Sequence, residues 1–407
     1  MKKGLFLFSI TLALASESIL ADVNVNCNSG QSINAAILSA SAGDIINISG
    51  ACRESVLIDK DGITLQGDAN SSIQPMFFGS AITIDGATRI SVNNLTLQNG
   101  FAGVATKANA SVSLRNITAS NNVFGIFLQS GSHISSTDVN IKNSGAIGVH
   151  AEEGSKLELL GNMDISSSAV FGLNFQTNSS LRVVGTQLKT HANLLGGQIT
   201  TGSSLFVDEG EIIVEGNHTI GFSINTGASG FLFNAKLYSN RNGLDGFDIV
   251  SNANFDIDGS SSLISENNGR DGISIDDGTL NSFGFFVGEN PGPLIAANTN
   301  ARDGLRIEFS GKLDVGVNSR LEAKNNLALG LNIDNASVVQ LRDSDINGNN
   351  GSFIKSRHRK NNHDEVIEDI DLLATFGSRI SFIKNNSIGK AICAQHSISR
   401  GDVRCRD

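Results

Sequence analysis

Three aspartates, Asp245, Asp271 and Asp303, each stand directly before a glycine, and Arg270 and Arg302 precede two of them. Two positions after those glycines, and after Gly330, come Asp248, Ser274, Arg306 and Asn332. Four positions after them come Val250, Asp276, Glu308 and Asp334. If each glycine marks one turn of a repeat, these residues stack in rows on one side, with arginines among the carboxylates. Like charges that close repel by about 1 kcal/mol even in water, so the arginines or a bound cation must offset them. One chemistry is Ca²⁺-assisted elimination on an acidic polysaccharide. Asp245, Asp271, Asp303, Asp276, Glu308 and Asp334 would hold the ion, which neutralises a uronate and acidifies its α-proton. Arg306 and Asp248 would be the catalytic pair, with Arg306 as base or charge stabiliser. Arg270, Arg302, Ser274 and Asn332 would contact the substrate. The alternative chemistry is hydrolysis by two carboxylates, whose separation decides the stereochemical outcome. The competing reading is structural: Asp before Gly is ordinary turn chemistry, and interleaved Arg and Asp can form a solvated ladder.

The rows depend on a repeat. A glycine followed by an apolar residue recurs as Gly103-Val104, Gly125-Ile126, Gly148-Val149, Gly172-Leu173, then Gly197, Gly221-Phe222, Gly246-Phe247, Gly272-Ile273, Gly304-Leu305 and Gly330-Leu331. The gaps run from 22 to 26 residues, with one of 32 between Gly272 and Gly304. That long gap contains Pro291 and Pro293 and predicts a loop beside the charged rows. Behind most glycines comes an apolar-polar-apolar triplet, such as Phe222-Ser223-Ile224 or Leu331-Asn332-Ile333. This is strand alternation with one buried face. A period of this length means a repeat architecture. No helical periodicity and no leucine-rich pattern is present, and a β-sandwich array would give unequal spacing. The reading is a parallel β-helix, whose coils stack at roughly 4.8 Å. Asn121-Asn122, Asn267-Asn268, Asn325-Asn326 and Asn349-Asn350 would form its turns, each bonding to the asparagine above and below and accepting the left-handed conformation.

Composition fits an exported solenoid. Only 17% of the 407 residues are charged, and the net charge of −10 argues against a nucleic-acid partner. With 22 Phe, one Tyr and no Trp, most phenylalanines are expected inside, and aromatic platforms for sugars are expected to be scarce. Residues 1–21 read as a signal peptide, with cleavage after Ala15 or Ala21. No later run is long and apolar enough to span a bilayer. Cys27 with Cys52, and Cys393 with Cys405, predict two local disulfides, one at each end of the mature chain. Residues 22–80 read as an N-terminal cap, including a short helix at Ser32–Leu38, with the first coils. Residues 81–351 read as regular coils, and 352–407 as an irregular loop, last coil and C-terminal cap. His358, His363, Asp364 and Glu365 are a weaker metal candidate within a charged run that breaks the repeat.

The run Gly30-Gln31-Ser32-Ile33-Asn34-Ala35-Ala36, then Ala42-Gly43-Asp44-Ile45-Ile46, Cys52-Arg53-Glu54 and Gly62-Ile63-Thr64-Leu65-Gln66-Gly67, resembles the opening of pectin-lyase-like proteins. The resemblance implies a single-stranded right-handed β-helix over nearly the whole mature chain. It implies little about activity, since that superfamily includes lyases, hydrolases, adhesins and binding proteins. Its hydrolase branch carries Gly-His-Gly and Arg-Ile-Lys segments. This chain has neither, and Arg306-Ile307-Glu308 is the nearest approach. No Gly-x-Ser-x-Gly is present. The expectation is a secreted or periplasmic monomer that binds a polysaccharide or cell-surface glycan without turnover. The rival is a Ca²⁺-assisted lyase.

Overall fold

A computed structural model describes residues 22–284, 292–355, 365–384, 386–394 and 397–401. The leader, Pro291, His358, His363, Asp364 and Cys405 lie outside the described residues. The described chain is a right-handed parallel β-helix. Each coil contributes one strand to a 14-stranded sheet, which begins with Val56–Ile58 and ends with Ala391–Cys393. We call this sheet the short-strand face. The rest of each coil feeds a 27-stranded sheet made of two ladders. The two fuse where Ile90–Gln98, Ser111–Ser120 and His133–Lys142 run through both. Stacked at about 4.8 Å, the short-strand face is roughly 60 Å long.

Inside, the expected alternation holds. Phe247 and Ile249, Ile273 and Ile275, Leu305 and Ile307, and Leu331 and Ile333 point inward and are buried. Phe222 stacks on Phe247 with ring centroids 6.0 Å apart. The phenylalanines as a group depart from the expectation. Among the described residues only Phe175, Phe222, Phe247, Phe255 and Phe382 are buried, and Phe77 and Phe78 are 84% and 102% exposed.

The corner between the second ladder and the short-strand face explains the glycine spacing. The asparagine pairs divide two tasks there. Asn121, Asn267 and Asn325 take left-handed φ values of 56°, 59° and 57° and bend the chain. The next residue in each pair turns inward. Seven asparagines, Asn193, Asn217, Asn242, Asn268, Asn300, Asn326 and Asn349, form a continuous buried column. Each Oδ1 accepts the backbone N–H and the Nδ2 of the asparagine one coil earlier, as Asn268 does from Asn242 at 3.0 and 3.1 Å. Each Nδ2 also donates to a carbonyl, as Asn268 does to Ser239 at 2.9 Å. The last acceptor is Asp371, whose Oδ1 takes Asn349 N and Nδ2 at 3.0 Å.

The anchor glycine is what lets this column pass. A Cβ at Gly246 would lie 1.8 Å from Ser265 Oγ and 2.5 Å from Asn268 Nδ2. Substitution therefore breaks the column rather than straining a turn. One anchor is corrected. In the coil of Leu195–Ile199 the aligned glycine is Gly196, not Gly197, because Leu173 pairs with Gly197. Gly197 stands where an apolar side chain was expected, and the Phe222 ring fills its place, 2.6 Å from where a Cβ would lie.

At the N-terminal end, the helix Ile33–Ser39 buries Ile33, Ala36 and Ile37. Ser32 caps it, accepting from Ala35 N at 3.2 Å. Glu54, from the segment singled out in the sequence, accepts from Ser32 Oγ and Ile33 N at 2.8 and 2.7 Å. The Cys27–Cys52 disulfide forms as expected. Near the other end, Gly351–Lys355 and Glu365–Ile370 form an antiparallel pair before the coils resume at Leu372. The chain added in the 32-residue coil, residues 285–291, lies outside the described residues. The strands on either side of it, Thr279–Phe283 and Leu294–Asn298, belong to the two ladders of the 27-stranded sheet.

Two adjacent asparagines should respond differently. Asn268→Ala leaves buried donors and acceptors unpaired and should lower the unfolding free energy by roughly 2–4 kcal/mol. Asn267→Ala removes a left-handed preference and one exposed bond, which Thr299 Oγ1 donates to it at 3.1 Å, together worth about 1 kcal/mol. Denaturant titration of both variants checks this, and equal losses would contradict the division of tasks.

Candidate functional site

The Asp-Gly corner of the expected site is a buried ion-pair stack. The side chains of Asp245 and Asp271 have no exposure. Arg270, one coil on, makes a two-pronged contact with Asp245, its Nε 2.5 Å from Oδ1 and its Nη2 against Oδ2. Arg302 grips Asp271 in the same way, with Nε 2.6 Å from Oδ1. Each carboxylate also accepts the backbone N–H of the next coil, from Asp271 at 3.0 Å and from Asp303 at 3.1 Å. The pattern ends at Asp303, where Ala328 stands in the arginine's place. Asp303 instead accepts from Leu329 N and Asn332 Nδ2, both at 3.0 Å. Burial pushes the Asp303 carboxyl up, while the bonds to Asp245 and Asp271 hold Arg270 and Arg302 even more firmly protonated.

The offset that the stacked charges require thus comes from arginine at Asp245 and Asp271. The ladder is buried on its carboxylate side and solvated on its arginine side, where Arg270 and Arg302 each keep 38% of the side chain exposed. Arg270, Arg302 and Asn332, read as substrate contacts, are engaged with these aspartates. Asp334 Oδ1 accepts from Thr375 Oγ1 at 2.6 Å, away from the stack. Glu308 pairs with Arg306, and Asp276 is half-buried beside it, its carboxyl raised by burial and lowered by Arg306. Among the described residues, no three His, Cys, Asp or Glu gather so as to hold a metal ion.

The second row is different. Strand register places Phe127, His150, Asn174, Gln198, Ser223, Asp248, Ser274, Arg306 and Asn332 side by side, one per coil, along the short-strand face. They alternate with core residues and so face outward, yet His150, Asn174, Ser223, Asp248 and Ser274 are each under a tenth exposed. Their neighbours along the row and the flanking corners shield them, which makes the face a polar groove. Arg306 bridges it, with Glu308 on one side and Asp271 Oδ2 4.0 Å away on the other.

Asp248 is the distinctive member. Burial, and then the nearby Asp245 charge, push its carboxyl well above the usual carboxylate range; Arg270 opposes this, and Asp271 and a hydrogen bond with Asp245 add to it. A carboxyl raised in this way favours its neutral form, which can donate a hydrogen bond or a proton. Its Oδ1 has no hydrogen-bond partner, and neither does Asn174 Oδ1.

Further along, His150 Nδ1 lies 3.4 Å from Asn174 Nδ2, and its Nε2 lies 3.3 Å from Glu152. Burial lowers the His150 pKa. Gln129 and Gln176 donate to Glu152 at 2.8 and 3.1 Å. His150 then joins an aromatic cluster: Phe127 stacks on it at 5.3 Å and on Phe124 at 4.9 Å, and Phe124 meets Phe101 at 5.2 Å. Sequence reasoning missed this half of the row. The rule that found Asp248 would have found it, because His150, Phe127 and Asn174 each stand two places after an anchor glycine.

No protein-family model matches the chain, and no curated protein does. Among solved structures it is similar to an A-module of mannuronan C-5 epimerase from Azotobacter vinelandii, at 14% identity and TM-score 0.49, over 91% of this chain and 95% of that one. It is similar to an alginate lyase from Paenibacillus sp., at 14% identity and TM-score 0.44, over 72% of this chain and 98% of that one. A periplasmic alginate epimerase gives 13% identity and TM-score 0.39, over 92% and 82%. These are likenesses of fold.

The charge states give two expectations. The Asp248 carboxyl is raised on folding above its unfolded value of about 4, so it lowers stability as pH rises above that value. Asp248→Asn should therefore melt above wild type at pH 8, with the gain gone by about pH 3.5. A gain independent of pH would contradict the assignment. Arg302→Ala strands the Asp271 charge and should cost about 3 kcal/mol in denaturant titration; Asp271→Asn in the same chain should restore part of it.

Proposed function

We propose that the protein binds a polysaccharide lying along the short-strand face, parallel to the solenoid axis. The carrying observation is the outward row of shielded polar side chains, one per coil, in which the Asp248 carboxyl is pushed up by burial and two oxygens, on Asp248 and Asn174, lack partners. Burying polar groups without partners is costly, and a ligand rich in hydroxyls would complete them. Hydroxyl, amide and carboxyl groups repeating at roughly 4.8 Å suit an extended sugar chain. Arg306, 28% exposed, is the member that could meet a uronate. Aromatic surface for stacking is supplied by phenylalanine rather than Trp or Tyr. The Cys27–Cys52 disulfide supports export, because disulfides persist in oxidising compartments.

A second reading is catalysis, favoured by the raised pKa of Asp248. A neutral carboxylic acid in a groove is what protonation of a glycosidic oxygen requires. Asp276 and Glu308, two rows to the side, are the carboxylates that could complete a pair. The Ca²⁺ set would have to displace the arginines now holding Asp245 and Asp271.

Native gels containing uronate-rich or neutral polysaccharides, with and without chelator, test the reading. We expect retardation by at least one polysaccharide, unchanged by chelator and weakened tenfold or more in Asp248→Asn and Asn174→Ala. Reducing ends, and the absorbance of unsaturated uronates, report turnover; turnover lost in Asp248→Asn would move the protein to the catalytic reading. If no polysaccharide retards the wild type, the proposal fails.

A further inference from the structure

One end of the short-strand face carries a feature that the polar row does not use. Phe77 and Phe78 project from the loop between Ile73 and Ile82, fully in solvent, and Phe101 behind them is 39% exposed. Together they line one side of a cleft of about 670 Å³, within the range of small-ligand sites. The other side is a column of amides. Asn99, Asn121 and Asn143 take left-handed φ values of 60°, 56° and 55° in three successive coils, which turns their side chains outward. Asn143 Nδ2 donates to Asn121 Oδ1 at 3.3 Å. That bond leaves most of the column's hydrogen-bonding capacity unspent, since each amide has two donors and an acceptor with two lone pairs.

No lysine, arginine, aspartate or glutamate lines the cleft. Its chemistry is an aromatic surface facing neutral donors and acceptors at coil spacing. A pyranose ring matches both walls: its C–H face packs on the phenyl rings and its rim of hydroxyls reaches the amides. An anionic lipid surface would call for basic residues that the lining lacks. A chain of ring contacts, Phe101 edge-on to Phe124, then Phe124 stacked on Phe127 and Phe127 on His150, joins the cleft to the polar row.

We infer that this cleft, framed by Phe77, Phe78, Phe101, Asn99, Asn121 and Asn143, is a second binding subsite that takes a neutral sugar unit. The inference extends the glycan reading above to a separate place, with its own recognition chemistry. It assigns the neutral part of a ligand to the Phe77 end and leaves any acidic part to Arg306.

The test uses the full chain in native gels containing soluble xylan, galactomannan or mixed-linkage glucan, beside gels containing polygalacturonate. Variants are Phe77→Ala with Phe78→Ala, whose side chains are in solvent and leave the core intact, and Phe101→Ala, which probes the cleft floor. At least one neutral polysaccharide should retard the wild type, and the double variant should weaken that by tenfold or more. Asp248→Asn should weaken retardation by polygalacturonate more than retardation by the neutral polysaccharide, and the double variant should do the reverse. The inference is overturned if no neutral polysaccharide retards the wild type, or if the double variant binds as the wild type does. It is equally overturned if the double variant loses only association with phosphatidylcholine vesicles or with itself in sedimentation. If Asp248→Asn abolishes all binding while the double variant loses none, the polar groove stands and the Phe77 subsite falls. The reverse result keeps the subsite and removes the groove.

Discussion

The hydrogen bond from one buried asparagine to the next fixes this solenoid. Parallel strands pair along their length, but pairing alone does not set where each coil turns. The column from Asn193 to Asn349 does so, because each Oδ1 must meet the N–H of the asparagine one coil earlier. Buried amides tolerate little misplacement, since an unpaired one costs more than a formed bond returns. The glycine repeat from Gly172 onward follows from it: the residue over which each Nδ2 passes can have no Cβ. So does the placement of the ion pairs, which sit a few residues on, at the same corner.

The Asp and Arg residues reuse that geometry with charge. Asp245 and Asp271 accept the next coil's backbone N–H, the reverse of the asparagines, which accept from the coil before, and a guanidinium from that next coil completes them. Buried pairs are weak contributors to net stability and strong contributors to register. Asp248 is the exception that the stack creates. Burial first, and then the charges of Asp245 and Asp271, hold its carboxyl up, with Arg270 only partly opposing them. The raised acid of the groove thus owes part of its character to the charges that hold the corner.

Most of the fold was legible, because period-2 triplets and asparagine pairs recur at a nearly constant interval. The rows were legible for the same reason: residues two places after the glycines do share a face. Burial was not. Sequence placed Asp248, Ser274 and Arg306 outward, which is right, but outward in a solenoid can still mean shielded by the coils on either side. The division between Asp248 and Asp245 was also hidden, since which carboxylate receives an arginine depends on contacts between coils. The phenylalanines misled for a related reason. Abundance suggested a packed core, whereas Phe77, Phe78 and Phe101 lie where a coil widens into a loop. Gly197 misled through alignment, because two adjacent glycines fit the repeat and only the neighbour's ring distinguishes them.

Asp371 closes the asparagine column, and its chemistry decides that the column ends there. Every amide in the stack points its N–H the same way, so the dipoles add along the axis and strengthen one another. Their positive ends face Asp371, where a carboxylate is the favourable terminus, much as an acidic side chain is at the start of an α-helix. An asparagine in that place would offer protons to a further coil and invite another unit. A carboxylate has only lone pairs, and both of its oxygens are already taken, by Asn349 and by Lys390 N. It acts as a chain terminator, setting the number of amides in the column by valence rather than by a steric block.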